Sequence, residues 1–142
     1  MTTQKDKSGA EERLLLDAAR AAREHAHAPF SHFKVGAALE TEDGRVITGC
    51  NVENATYGLT VCAERVALWK ALSEGHRRFL KVAVVAQSAE PTPPCGACRQ
   101  LLWEYGNDLE VILGDLTRET GRYRLKELLP HPFEAKIFLD GK

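Results

Sequence analysis

The sequence predicts an α/β layered domain in which helices pack on a mixed sheet. Three observations lead there: one-domain length, helical and strand-like segments in alternation, and a continuous apolar run that reads as a buried strand. The 142 residues suffice for a single core. Hydrophobic residues make up 44% of them and charged residues 27%, the balance of a globular protein.

Residues 1–8 are expected to be a flexible leader, and residues 9–142 one domain. From Ala10 to Ala28 an alanine-rich stretch predicts a helix, with Leu14, Leu15, Ala18, Ala21 and Ala22 on its inner side and Pro29 at its end. Residues 33–41 and 45–51 read as two strands, and Glu42-Asp43-Gly44 supplies a hairpin turn between them. Residues 52–60 follow no period and read as a functional loop. Residues 62–73 predict a helix with Val66, Trp69 and Leu72 near one face, and Gly75 lies just past its end. The apolar run 82–86 is the buried strand, followed by the proline-rich loop 88–94. A helix over 97–105, a strand over 109–113, a short strand at 123–125 and a helical turn at 126–129 complete the order. The tail around 135–139 carries no clear pattern.

Charge narrows the function classes. With 19 basic and 20 acidic residues the net charge is −1, which argues against a nucleic-acid partner because phosphate contacts call for a basic surplus. No apolar run approaches the roughly 20 residues of a membrane helix. The first 12 residues lack the apolar middle of a signal peptide. A cytoplasmic location is therefore expected, where Cys50, Cys62, Cys95 and Cys98 stay reduced.

Reduced cysteines in a pattern point to metal or catalysis. Cys95-Gly96-Ala97-Cys98 is a C-x-x-C at a predicted helix start, which places two sulfurs toward one point. Zinc ribbons and thioredoxin-like sites share that motif. A second segment, Cys62-Ala63-Glu64, stands 33 residues upstream and also opens a helix, which weakens the redox reading. Helix N-termini favour thiolates, the metal-binding form. Three thiolates and Zn²⁺ sum to about −1, so a nearby cation is expected, and Arg65 and Arg99 are the candidates. Three protein ligands leave a fourth tetrahedral position for water, as in catalytic zinc sites. Glu64 then has a use as a proton carrier. Cys50 reads as a small packed hydrophobe, with the alternative that it completes a four-cysteine structural site.

The chain resembles the small, homotetrameric, zinc-dependent cytidine deaminases. The likeness runs from about Pro29 to Phe133 and rests on four segments: 33–38 (FKVGAA), 49–55 (GCNVENA), 62–65 (CAER) and 94–100 (PCGACRQ). The zinc-deaminase signature H-x-E with P-C-x-x-C, in its three-cysteine form, is a general pattern already described for such enzymes. The resemblance implies a three-layer α/β/α domain on a mixed five-stranded sheet. It implies one zinc per subunit on Cys62, Cys95 and Cys98, with Glu64 as proton shuttle and Arg65 tempering the thiolate charge. The implied reaction turns cytidine and deoxycytidine into uridine and deoxyuridine, with zinc hydroxide attacking C4 and ammonia leaving, in pyrimidine salvage.

For the substrate, the resemblance implies that Phe33 packs on the pyrimidine and that Asn51 and Glu53 hydrogen-bond the ribose. Val52, Asn54, Ala55 and Thr56 extend that wall, and Ala63 reads the base edge. Tyr57 and Phe133 are implied to reach a neighbouring subunit's site in the tetramer. An amide and a carboxylate two residues apart in extended chain do suit a sugar diol. Plain turn chemistry for Asn51 and core packing for Phe33 are the competing readings. A blasticidin-type substrate and a purely structural zinc domain remain as alternatives for the whole chain.

Overall fold

The computed structural model describes residues 4–139. Helix α1 (Gln4–Arg23) leads into strands β1 (Val35–Thr41) and β2 (Val46–Cys50), then helix α2 (Ala63–Ser73). Strand β3 (Phe79–Ala86), helix α3 (Gly96–Gly106), strands β4 (Glu110–Gly114) and β5 (Glu119–Arg124) and the short helices α4 (Leu125–Leu128) and α5 (Lys136–Leu139) follow. The five strands form one sheet in the order β2-β1-β3-β4-β5. β3 and β4 run parallel and the other neighbours antiparallel, so the sheet is mixed, as the sequence predicts.

Both faces of the sheet are covered. On one, Leu15, Leu16 and Ala19 of α1 meet Ala38, Ala83, Val85 and Ile112. On the other, Ala67, Leu68 and Leu102 of α2 and α3 meet Ala37, Leu39, Val82, Val84 and Leu113. This gives three layers, α/β/α. Coverage on both sides explains why β1 and β3 are apolar in continuous runs rather than in alternation. Among the described residues no helix is long and apolar enough to cross a membrane.

Four expectations need correction. α1 begins at Gln4, inside the stretch read as a leader, because Gln and Lys propagate a helix well once it is nucleated; residues 1–3 lie outside the described residues. It stops at Arg23 and not near Ala28, because His27 pairs with the far end of the β-hairpin: its N–H donates to Asn51 O at 3.0 Å and its carbonyl accepts from Glu53 N–H at 2.8 Å. The inner side of α1 is Glu12, Leu15, Leu16 and Ala19, while Leu14 is exposed. Three successive leucines leave the helical phase open to a one-residue turn about the axis.

The same holds for α2. Its buried face is Ala63, Glu64, Ala67, Leu68 and Ala71, and Trp69 points outward. Gly49 of β2 explains the preference for small residues. A Cβ there would lie 2.5 Å from Ala67 N and 2.6 Å from Ala63 O. The start of α2 is thus pressed directly onto the strand, with the backbone of Ala63 and Ala67 and the Cβ of Val66 against Gly49. In the β1–β2 turn, Gly44 takes φ +86, the left-handed conformation that its place after Asp43 anticipates.

Candidate active site

Cys62 is the N-cap of α2 and Cys95 the N-cap of α3, both in extended conformation, and neither side chain caps its own helix. A thiol at an N-cap is held at the positive end of the helix and remains free to bind elsewhere. Cys98 lies on the first turn of α3 and is fully buried. The Cys62 and Cys95 sulfurs are 3.9 Å apart, the Cys95 and Cys98 sulfurs 3.5 Å, and all three lie within 4.8 Å of one another. Zinc–sulfur bonds of about 2.3 Å at tetrahedral angles set sulfurs about 3.8 Å apart. The cluster fits that ion. Cys50, at the end of β2, is not part of it, so the four-cysteine structural arrangement finds no support here.

The electrostatics match a thiolate site. The Arg65 guanidinium donates to Cys62 Sγ at 3.6 Å and to Thr60 O at 3.5 Å, with Trp69 5.8 Å beneath it. Arg99, the other candidate cation, instead donates to Pro94 O and Leu128 O, each at 2.8 Å, and braces the loop before α3. A hydrogen bond from Cys98, followed by the Arg65 contact, pulls the Cys62 thiol down to about 5. The same Cys98–Cys62 bond and burial push Cys98 upward. Glu64, 5% exposed, is pushed up to about 7, chiefly by burial and further by the Cys62 charge.

Beside the sulfurs lies a cavity of about 240 Å³. Cys62, Ala63, Glu64 and Cys95 form its floor, with Phe33 and Asn51 among its walls. Val35, Thr60, Val61, Val84, Thr92 and Pro93 also line it and escaped the sequence reading. Four of these six directly precede one of the clustered cysteines or lie within three residues of one, the one signal that pointed to them. An adjoining hollow is lined by Phe30, Ser31, Glu53, Tyr57 and Thr60, with Thr60 common to both.

The Asn51–Tyr57 segment is divided in its tasks. Asn51 is nearly buried and bonds β1, its Oδ1 accepting from Val35 N–H and its amide donating to Phe33 O, each at 2.8 Å. One amide hydrogen remains. Glu53 accepts from the N–H groups of Phe30 and Ser31, both at 3.0 Å, and from the Ser31 hydroxyl. Val52 bridges His27 and Val61 through its backbone. Asn54 braces the loop through Thr60 and Leu59. Ala55 and Thr56 form an exposed turn into the 3-10 turn Tyr57–Leu59. None of Val52, Asn54, Ala55 and Thr56 lines the cavity of the single chain. Tyr57 is 75% exposed and stacks edge-on against Phe30 at 5.9 Å. Phe133 is exposed and stands outside this chain's cavity.

Residues 10–114 match the family described as the cytidine and deoxycytidylate deaminase zinc-binding region. The chain belongs to that family. The deaminase of Halalkalibacterium halodurans, a cytidine deaminase, is 51% identical over 89% of this chain and 97% of its own length. The crystal structure of the cytidine deaminase of Burkholderia pseudomallei superposes with a TM-score of 0.82 at 52% identity, covering 85% of this chain and 98% of that one. That of Mycobacterium leprae reaches 0.74 at 40% identity, covering 84% and 98%. The family match, with its zinc-binding region, coincides with the three-thiol cluster and agrees with the ion the sulfur spacing fits.

Proposed function

We propose that this deaminase-family chain hydrolyses cytidine and deoxycytidine to uridine and deoxyuridine with release of ammonia, as a step of pyrimidine salvage in the cytoplasm. One observation carries the reading: a buried carboxylate, Glu64, lines the same cavity as two of three clustered thiols. Cys62, Cys95 and Cys98 would hold one zinc per subunit. Zinc, when bound there, supplies the Lewis acidity that makes a water nucleophilic near neutral pH. Glu64 accepts the proton of that water as its oxygen bonds to C4 of the ring, and donates it to N3. It then carries a second proton to the exocyclic amine, the C4–N bond breaks, and C4 is left as a carbonyl. Arg65 offsets the thiolate charge. Phe33 walls the cavity for a flat ring, and the free amide hydrogen of Asn51 and the carboxylate of Glu53 take sugar hydroxyls.

The exposed side chains Phe30, Tyr57, Leu59, Trp69 and Phe133 support self-association, since large apolar side chains left in water gain by burial between chains. A homotetramer in which Tyr57 and Phe133 complete a neighbour's site is the assembly proposed. Incubating zinc-loaded protein with cytidine and measuring ammonia tests the activity. Absence of turnover in a fully loaded sample overturns it.

A further inference from the structure

We infer that Ser31 is a positioning residue for the sugar end of the site, holding the Glu53 carboxylate in register through one hydroxyl. The inference rests on the proposed role of Glu53 toward ribose hydroxyls. Ser31 belongs to none of the four segments that carry the family resemblance, and it is exposed. Its hydroxyl nonetheless stands at the centre of a short relay. It donates to Glu53 Oε2 and accepts from Phe33 N–H at 3.0 Å. Its own N–H donates to the other carboxylate oxygen at 3.0 Å, as does that of Phe30 at 3.0 Å.

Counting acceptor sites shows what this arrangement does. A carboxylate offers about four lone-pair positions. Oε1 accepts both backbone N–H groups and Oε2 accepts the Ser31 hydroxyl. The remaining position is on Oε2, the oxygen whose orientation Ser31 fixes. A donor entering from the hollow between Phe30, Tyr57 and Thr60 meets that position, so a sugar hydroxyl finds one acceptor in one direction. Phe33 lines the cavity beside the thiols, and its N–H ends on the same hydroxyl. His32, between the two, takes φ +59, and its N–H donates to Ala28 O at 3.0 Å. A turn held in a left-handed conformation persists when its surroundings over-determine it, and the Ser31 relay supplies such bonds.

The experiment compares cytidine with 2′,3′-dideoxycytidine, which keeps the base and the 5′ hydroxyl and lacks the 2′ and 3′ hydroxyls, on zinc-loaded full-length protein. Ser31→Ala is expected to raise KM for cytidine about tenfold with kcat within about threefold, the effect of losing one charge-assisted hydrogen bond. For dideoxycytidine the KM should change by less than about threefold. Ser31→Thr, which restores the hydroxyl, should return cytidine KM to within about threefold of the parent. Equal losses on both substrates, at unchanged zinc content and melting temperature, would overturn the inference and leave Ser31 a merely structural residue. Should Ser31→Ala lose zinc or stability, Ser31→Cys keeps the volume with a weaker donor and is read on the same pair. Glu53→Gln separates the two levels. If it fails to discriminate the substrates, the sugar role of Glu53 falls and the inference with it. If it discriminates while Ser31→Ala does not, the inference about Ser31 alone falls.

Discussion

Gln100 grips Phe133 by both of its backbone groups: the Gln100 amide donates to Phe133 O at 2.7 Å, and its Oε1 accepts from Phe133 N–H at 3.0 Å. The side chain thereby acts as a one-residue strand partner, tying the C-terminal segment to α3 two residues past Cys98. The Phe133 ring is left 56% exposed and meets the Phe138 ring at 5.8 Å. Gln100→Ala should release this segment, at a loss of about 1–2 kcal/mol for two partly exposed bonds. Hydrogen exchange over residues 130–139 is the measurement, and unchanged protection would refute the grip. In the tetramer proposed above, the same variant should also raise KM.

Glu64→Gln keeps the size of the side chain and removes the proton carrier. The variant should bind zinc as the parent does and lose about 10² to 10⁴ in kcat, the range for a general acid–base group. Metal analysis and steady-state kinetics on one preparation check this. Full turnover would rule out the shuttle.

Gly49→Ala tests how α2 is seated. The added methyl meets backbone of Ala63 and Ala67, which cannot swing aside as a side-chain tip could. A loss of about 1–3 kcal/mol is expected, with weaker zinc binding because Ala63 adjoins Cys62. Chemical denaturation and a zinc competition assay report the two effects. A variant with parental stability and affinity would show that the contact is not rigid.

Removing the ion should expose the thiols in an order set by burial. Cys95 is exposed, Cys62 half-buried and Cys98 only 1% exposed. With chelator, Cys95 and Cys62 should react quickly with a thiol reagent and Cys98 slowly. Zinc restoration should protect all three and leave Cys50 as the reactive one. Labelling that ignores zinc would exclude the cluster as its ligand set.

Glu53 supplies the pH prediction. The Ser31 hydroxyl, then the Ser31 and Phe30 N–H groups, hold its carboxyl below its ordinary value of 4.5. A carboxylate whose folded value is depressed binds fewer protons when folded, so stability rises with pH across that interval. Its contribution is complete above about 4.5 and is lost as pH falls through the depressed value. A carbon-13 titration of Glu53 should show a midpoint under 4.5, moving upward in Ser31→Ala. A midpoint at the ordinary value in the parent would contradict the bonds described.

The sequence made the clustering of Cys62, Cys95 and Cys98 legible because their spacing is a local matter. Two cysteines three apart on one turn, and a third opening another helix, need only helical geometry to converge. The first four strands and the mixed sheet were legible from apolar runs and the Asp43-Gly44 turn, while β5 (Glu119–Arg124), expected only at 123–125, has no apolar run to mark it. Helix faces were not. Trp69 reads as a core residue, but α2 seats Ala63, Val66 and Ala67 against Gly49 and turns Trp69 outward, a contact between residues distant in sequence. The early end of α1 has the same origin, in pairing between His27 and the Asn51–Glu53 backbone. Arg99 shows the converse error: adjacency to Cys98 suggested a contact with sulfur, but its guanidinium reaches Leu128. Ser31 carried no signal, since a serine before a strand is ordinary.

Cys62 and Cys95 each stand at the threshold of a helix. A helix turns by about 100° per residue, so one residue gained or lost at either threshold would swing a sulfur out of reach of the other two. The exposed stretch 55–59 of the neighbouring loop obeys no such phase and is free to change in length and lining, whereas Thr60 and Pro94 are tied to Arg65 and Arg99. The molecule is therefore split into a part whose register is frozen and parts free to vary. Lineages descending from such a chain can diverge in which amino-bearing ring they admit while keeping the ion's seat unchanged.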